Sequence, residues 1–503
     1  MTESSNNLMP LRMGSERDFA RVESLLKSCA FDEETLCRIL KIDSLSNLGA
    51  VDPREADLSL ADSESLRLLI KIFLLLTAIR CEDVERAIDS ASMDSLLALD
   101  LLRRGVFEGR EMYYSSVFLY PVAGFLIASD RHRSADGSPF ELPPDAVFPA
   151  VFIGTLRFLR IISKTPARAA LDLCSGTGIG ALVLSRCAER VTASDITARA
   201  THFAEFNRLL NRCSNVEVVQ SDLYNALTDR DFDRIVAHPP YVPSLSMEQI
   251  YRDGGETGEA LVKRIIEGLP ERLRPGGTFY GVCAGWDTRA GSFEERARVW
   301  LGEKRDDFDV MFAFNNDMSP ERLAKQLAEQ GSDSGWDERF ADAGLERLVY
   351  GALVIDRPER TDNNEPMTAR VRLGALTDGS CFDWALAWRR QRARMEASGE
   401  FFSGISRLAP RLGEHLRVKV TYAVEEGTLA PADVVLEAER PFPAATRIDL
   451  WMMPVIANFN GERSVAEVYE MARNCSMLPP AFGVDDFARL AADMIERGYL
   501  EIG

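Results

Sequence analysis

The sequence predicts an α/β protein whose middle third forms an open, doubly wound sheet of seven strands, preceded by a helical, winged-helix-like domain and followed by an α+β domain. Three observations carry this expectation. Short apolar runs alternate with helix-period segments from Ala169 to about Asp356, the pattern of strands covered by helices. The first run leads straight into a glycine-rich turn, Cys174-Ser-Gly-Thr-Gly-Ile-Gly180. Acidic residues stand at the ends of three successive runs, at Asp172, Asp195 and Asp222.

Taken in order, residues 1–145 are mostly helical. Ser63 to Leu76, Glu82 to Ala91 and Met93 to Arg104 read as helices, and Val106 to Leu119 alternates around a turn at Gly109. Such a helix, helix and hairpin unit can bind DNA, but in an acidic chain a substrate lid or packing module is the expectation. The central domain spans 146–356, with strands expected at Ala169–Leu173, Arg190–Ser194, Val216–Gln220, Arg234–Ala237, Gly277–Val282, Phe308–Ala313 and Leu348–Ile355. Residues 357–367, RPERTDNNEPM, form a polar linker. In the last domain, 368–503, strands are expected at Arg417–Tyr422 and Asp433–Ala438. Helices follow at Ser464–Asn474 and Asp485–Arg497, with a closing strand at Tyr499–Ile502.

Composition narrows the function. A chain of 503 residues holds about three domains at roughly 100 to 200 residues each. Its most apolar stretch, Leu66 to Ala78, carries Arg67 and Lys71 and is short of a membrane span. Met1 to Asn7 lacks the basic region that leads an export signal, so a cytoplasmic protein without membrane partners is expected. Nine cysteines with no CxxC spacing and an odd total fit neither a disulfide framework nor a zinc site. A net charge of −19 makes nucleic acid an unfavoured partner, because phosphate neutralisation supplies most of that affinity. Arg389, Arg390, Arg392 and Arg394 point to different sides of a helix, which suits solvent or acidic neighbours better than a polyanion.

The chemistry concentrates at the strand ends. Gly176 and Gly178 allow the backbone to approach a ligand closely, and the helix that follows offers its N-terminus. Dinucleotide-binding folds have similar punctuation, but glycines at 176, 178 and 180 do not meet their G-x-G-x-x-G spacing. Asp195 is placed to accept two ribose hydroxyls, Asp222 to meet an adenine amino group, and Asp172 to face an ammonium. Together they suit a nucleoside joined to a cationic amino acid. The fourth strand ends in His238-Pro-Pro-Tyr241, where two prolines fix the backbone and leave carbonyls free, and an aromatic ring can stack on a planar group.

These residues resemble the class I, Rossmann-like methyltransferases that use S-adenosylmethionine. The resemblance is nearest to the release-factor glutamine methyltransferase branch, which carries Asn-Pro-Pro-Tyr, and it covers roughly Phe148 to Ile355. Val242-Pro243, Tyr251-Arg-Asp-Gly-Gly255 and Leu273-Arg-Pro-Gly-Gly277 strengthen it. It implies a donor site of Asp172, Ser175, Gly176, Thr177, Gly178, Asp195, Ile196, Asp222, Leu223 and His238, with no metal. It also implies an acceptor site of Pro239, Pro240, Tyr241, Tyr251 and Arg252, with His238 and Tyr241 as the catalytic pair.

His238 departs from the branch. The family's Asn accepts one hydrogen of the target amide and the next proline carbonyl the other, a geometry that imidazole does not copy. A neutral ring accepts one hydrogen bond or acts as general base near pH 7. The expected acceptor therefore shifts from a glutamine side chain toward an amine, hydroxyl or carboxyl group of a small molecule or peptide. A catalytically silent donor-binding protein and an adenine-N6 nucleic-acid methyltransferase are the alternatives. Arg252 is placed to clamp a substrate carboxylate or to pair within its own loop, and Phe148 to Thr155 to form a lid or a packed helix. The tail, Trp451 to Ile502, is similar to small winged-helix modules that bind leader peptides, although packing or homodimerisation is the plainer role.

Overall fold

The alternation in the middle of the chain is realised as an eight-stranded sheet. A computed structural model describes residues 9–53, 55–228, 230–245, 248–329, 335–359 and 365–502. The sheet comprises β1 (Ala167–Leu173), β2 (Ala188–Asp195), β3 (Val216–Gln220), β4 (Phe232–Ala237), β5 (Leu273–Thr288), β6 (Asp309–Met318), β7 (Leu345–Asp356) and β8 (Thr368–Arg372). Their order in space is β8-β6-β7-β5-β4-β1-β2-β3. β1 pairs in parallel with both β2 and β4, whereas β7 runs antiparallel between β5 and β6. The winding reverses between β1 and β4, which opens a crevice at the carboxyl ends of those strands. Successive side chains alternate between two apolar layers. Ala170, Val236 and Val282 enter one, and Leu171, Ile235 and Cys283 the other.

Seven strands were expected and the eighth is a correction. Thr368–Arg372 pairs in parallel with β6, from Val310 opposite Thr368 to Phe314 opposite Arg372. Ala369 and Val371 pack on the core, while Arg370 is held on the other face by Asp287 and Glu294 at 2.5 and 2.6 Å. The boundary expected at residue 356 thus falls inside the sheet. Residues 360–364 of the expected linker, like Met1 to Asn7, lie outside the described residues.

Four helices frame the crevice: α1 (Ile153–Ile161), α2 (Ile179–Leu184), α3 (Ala198–Leu210) and α4 (Ala260–Arg272). α3 begins where Thr197 caps it, its hydroxyl accepting from the Ala200 N–H.

In the N-terminal region the helix expected over 93–104 stops at Ala98. Asp100 turns left-handed at φ 55°, and Arg103–Phe107 becomes a strand paired with Arg110–Tyr114 around Gly109. The helix beginning at Glu64 widens into a π turn over Ile70–Leu74. A buried hairpin, Val117–Val122 with Phe125–Asp130, then docks on α3. There Asn207 exchanges hydrogen bonds with the Ala128 backbone and Asn211 with that of Leu126.

The C-terminal region is tied to the sheet by a helix over Gly379–Ala397. Its Asp383 accepts hydrogen bonds from Tyr280 at 2.6 Å and Ser163 at 2.7 Å, and its Arg390 pairs with Asp356 at the end of β7. Arg389 and Arg392 both pair with Glu496, so three of the four clustered arginines have acidic partners. Beyond lie three antiparallel strands, Arg417–Glu425, Thr428–Ala438 and Ala444–Ile448. The helices Val465–Asn474 and Val484–Glu496 follow, the first started by a Ser464–Glu467 capping box, and Leu500–Glu501 closes against Arg411–Leu412. All nine cysteines are free. Among the described residues no helix is long and apolar enough to cross a membrane, and no cluster of His, Cys, Asp or Glu is arranged to hold a metal ion.

Candidate active site

The crevice is a cavity of 1010 Å³, and every expected site residue except Gly178 lines it. Gly178 instead starts α2 and packs on Ala204 of α3. Two non-glycine residues adopt left-handed backbone on the cavity wall, Cys174 after β1 and Leu223 after β3, at φ 55° and 49°. Such conformations collect where a site fixes the chain.

The three carboxylates differ in their surroundings. Asp172 is buried and accepts the Ala181 N–H at 2.8 Å near the start of α2. Burial pushes its pKa up to about 7, a rise that this hydrogen bond opposes and the charge of Asp195 reinforces. Asp195 accepts the N–H groups of Gly176 at 2.9 Å and Thr197 at 3.2 Å, one on each oxygen, and burial also raises its pKa. Asp222 pairs with Arg264 of α4 at 2.8 Å. Between them lies the Ser175 hydroxyl, buried in the cavity wall without a hydrogen-bond partner.

Across the cavity the fourth strand delivers His238, Pro239, Pro240 and Tyr241. The His238 ring lies 5.5 Å from that of Phe158 on α1, tilted by 23°, and 6.1 Å from Tyr241. Its Nε2 is buried with no partner, next to Gly154. Burial pushes the ring's pKa down to about 4, so the ring is neutral and a weaker base than a free imidazole. The Tyr241 phenol is hydrogen-bonded to that of Tyr350 on β7, with Arg157 alongside, and burial raises its pKa.

The loop after the motif is held by its own backbone. Val242 donates to the Arg252 carbonyl at 3.0 Å, and Gly254 to the Val242 carbonyl at 2.8 Å. Gly258 has φ 81°, and a side chain there would strike the Tyr241 carbonyl. Arg252 donates to the Gln249 side chain at 3.3 Å, and Asp253 accepts the Gln249 N–H at 2.8 Å. Tyr251 stacks on Phe148, which stacks on Phe152, at the cavity mouth.

The family "Methyltransferase small domain" matches residues 147–286, the segment that holds this cavity. Residues 147–286 are a class I methyltransferase domain. It is distantly related to glutamine methyltransferases. A release factor glutamine methyltransferase of Shewanella oneidensis is 45% identical over 74 residues, covering 14% of this chain and 26% of that protein. One of Koribacter versatilis is 35% identical over 164 residues, 29% of this chain and 58% of the relative. A ribosomal protein uL3 glutamine methyltransferase of Bradyrhizobium diazoefficiens is 27% identical over 200 residues, 35% and 63%. The chain thus spans under two thirds of each of these three relatives. Among solved structures, a ribosomal protein L11 methylase of Lactobacillus delbrueckii has 20% identity and a TM-score of 0.25, covering 41% of this chain and 77% of that one.

The methyltransferase domain contains site residues to which the motifs assigned no individual role. A Cβ on Gly180 would stand 2.7 Å from both Asp172 oxygens, so the bare backbone of α2 lets the carboxylate lie against the helix. Asn207 donates to the Thr177 carbonyl at 2.9 Å and so ties the glycine-rich turn to the N-terminal hairpin. Arg264, Phe158 and Gly154 reach the cavity from helices whose own periodicity marks only a buried face. The residues present fit a nucleoside with an amino-acid tail. Three carboxylates and an unpartnered, buried Ser175 hydroxyl share the cavity wall, a donor set compatible with such a ligand.

Proposed function

We propose that this chain is an S-adenosylmethionine-dependent methyltransferase that places a methyl group on nitrogen or oxygen of a small molecule or peptide. The observation that carries this reading is one cavity with Asp172, Asp195 and Asp222 on one side and the His238–Tyr241 loop on the other. When bound, S-adenosylmethionine supplies an electrophilic methyl carbon, so the protein's task is positioning. Asp172 would hold the ammonium, Asp195 the ribose hydroxyls and Asp222 the adenine amino group, with Ser175 to Thr177 and Ile196 and Leu223 forming the walls. Pro239, Pro240 and Tyr241 would hold the acceptor, and Tyr251 and Arg252 the part of it nearest solvent.

His238 works as a neutral hydrogen-bond acceptor in this reading, since its low pKa leaves it unprotonated across the physiological range. The relatives' names point to nitrogen of a glutamine, and the exchange of Asn for His argues for a different acceptor held by the same loop. The flanking regions, helices with a hairpin before and strands with helices after, are read as winged-helix-like modules that pack on or recognise the substrate.

Calorimetry with S-adenosylhomocysteine and methyl transfer from labelled S-adenosylmethionine test the reading. Binding at one site, abolished by Asp195→Ala, together with transfer lost in Tyr241→Ala, is expected. No binding would overturn it, and binding without transfer to any nitrogen or oxygen nucleophile would leave a recognition protein instead.

A further inference from the structure

Six rings line the acceptor side of the cavity, in two series. Phe152, Phe148 and Tyr251 stack one on the next, with centroids 4.8 and 5.5 Å apart and interplanar angles of 26° and 6°. Phe158, His238 and Tyr241 form the second series, at 5.5 Å and 23° and then 6.1 Å and 33°. Phe148 and Phe152 are 45% and 39% exposed, so their ring surface is left available at the mouth. From these walls we propose that the acceptor is a small, planar aromatic molecule whose reacting atom is an N–H or O–H group on or beside the ring. The proposal rests on the methyltransferase reading above and names its substrate class.

Volume, wall chemistry and polar inventory support it separately. Pockets for one drug-sized ligand run from about 300 to 1,000 Å³. A cavity of 1010 Å³ stands at the upper end of that range, so any molecule held there together with the donor is small. Aromatic walls favour a flat ring through offset stacking, whereas an aliphatic side chain ending in an amide leaves most of that surface unmatched. Acceptors stand next to the donor site, while Arg252 and the Tyr241 and Tyr251 hydroxyls supply donors. Pro239 and Pro240 have carbonyls and no N–H, and the neutral His238 ring has an unpartnered Nε2. The Asp253 carboxylate is taken by the Gln249 N–H. The proline carbonyls suit a reacting group that brings its own hydrogens.

Gly154 is the residue of α1 that lies against that buried His238 nitrogen. A Cβ there would lie 3.7 Å from Nε2 and 3.5 Å from the Tyr350 hydroxyl, so α1 leaves space for one small atom, and Gly154 is itself part of the cavity wall. In the transfer, the acceptor's nitrogen or oxygen forms the new bond to carbon while the donor's carbon–sulfur bond breaks and its electron pair stays on sulfur. The acceptor's proton leaves to water.

The test uses the full chain saturated with S-adenosylhomocysteine, titrated separately with 2-naphthol, naphthalene and N-acetylglutaminamide. Saturable 2-naphthol binding is expected, weakened at least tenfold by Phe158→Leu and by Tyr251→Leu, the second at the mouth where folding is not at risk. His238→Phe keeps a ring and removes both ring nitrogens, so it should weaken 2-naphthol while leaving naphthalene unchanged. Saturation by N-acetylglutaminamide with no binding of either naphthalene probe would overturn the proposal, as would 2-naphthol binding indifferent to both leucine variants. Failure to bind S-adenosylhomocysteine at all would overturn the underlying methyltransferase reading, a result visible before any acceptor probe is added.

Discussion

Asp172 couples donor binding to pH. Its carboxyl titrates at about 7 in the folded chain against 3.8 for a free aspartate, because burial penalises the charged form. If it holds the ligand's ammonium, binding selects the ionised carboxylate, and below pH 7 a proton must first leave. The apparent affinity for S-adenosylhomocysteine should then be flat above about pH 7.5 and fall about tenfold per unit below 7. The sign for stability is opposite. A raised folded pKa favours the protonated native state, so this contribution is full below pH 3.8 and lost as pH rises through about 7. At pH 8 the free protein carries an ionised, buried carboxylate at a cost on the order of 4 kcal/mol, the three-unit shift at about 1.36 kcal/mol each. Asp172→Asn should therefore raise the melting temperature at pH 8 and lose ligand affinity at every pH. Calorimetry in buffers of different ionisation enthalpy counts the protons released. Affinity unchanged from pH 5.5 to 8, with no proton release, would refute the reasoning.

Three further outcomes follow from close contacts. Gly180→Ala gains roughly 1 kcal/mol of helix propensity in isolation, yet should lower both melting temperature and S-adenosylhomocysteine affinity, since its methyl would stand 2.7 Å from the Asp172 oxygens. Gly258→Ala should push the Tyr241 backbone out of line, costing on the order of 100-fold in methyl-transfer rate, while ligand affinity measured by calorimetry stays within about twofold. Arg370→Met leaves the buried Glu294 without its ion-pair partner, while Asp287 keeps Arg347, and should cost about 3 kcal/mol in denaturant unfolding. A loss below about 1 kcal/mol would argue that β8 contributes little to the sheet.

Much of the central sheet was legible because its strands are apolar and regularly spaced, and the strand-end carboxylates sit at positions that local sequence marks. β8 was not, because TARVR shows only two apolar residues and its arginines read as solvent-facing. Arg370 is held by Asp287 and Glu294, 83 and 76 residues away in sequence. The helix expected over 93–104 failed at Asp100, whose left-handed backbone breaks a run that otherwise looks continuous. In the site, the motif residues could be named from the sequence, but their environment could not. Nothing local to His238 foretells the burial that lowers its pKa, since that comes from Phe158 and Gly154 on α1. Arg264 beside Asp222 and Asn207 behind Thr177 are likewise products of packing between helices and strands.

The helix over Gly379–Ala397 bears on how such a domain can be inherited. A recombination break after Asp356 would remove Arg390 from a fully buried carboxylate, take Asp383 from Tyr280 and Ser163, and discard β8 with Arg370. Each loss leaves a charged or polar group stranded next to the sheet. Breaks that keep these contacts within one segment fall after Arg390, and that segment is longer than the one the methyltransferase motifs delimit.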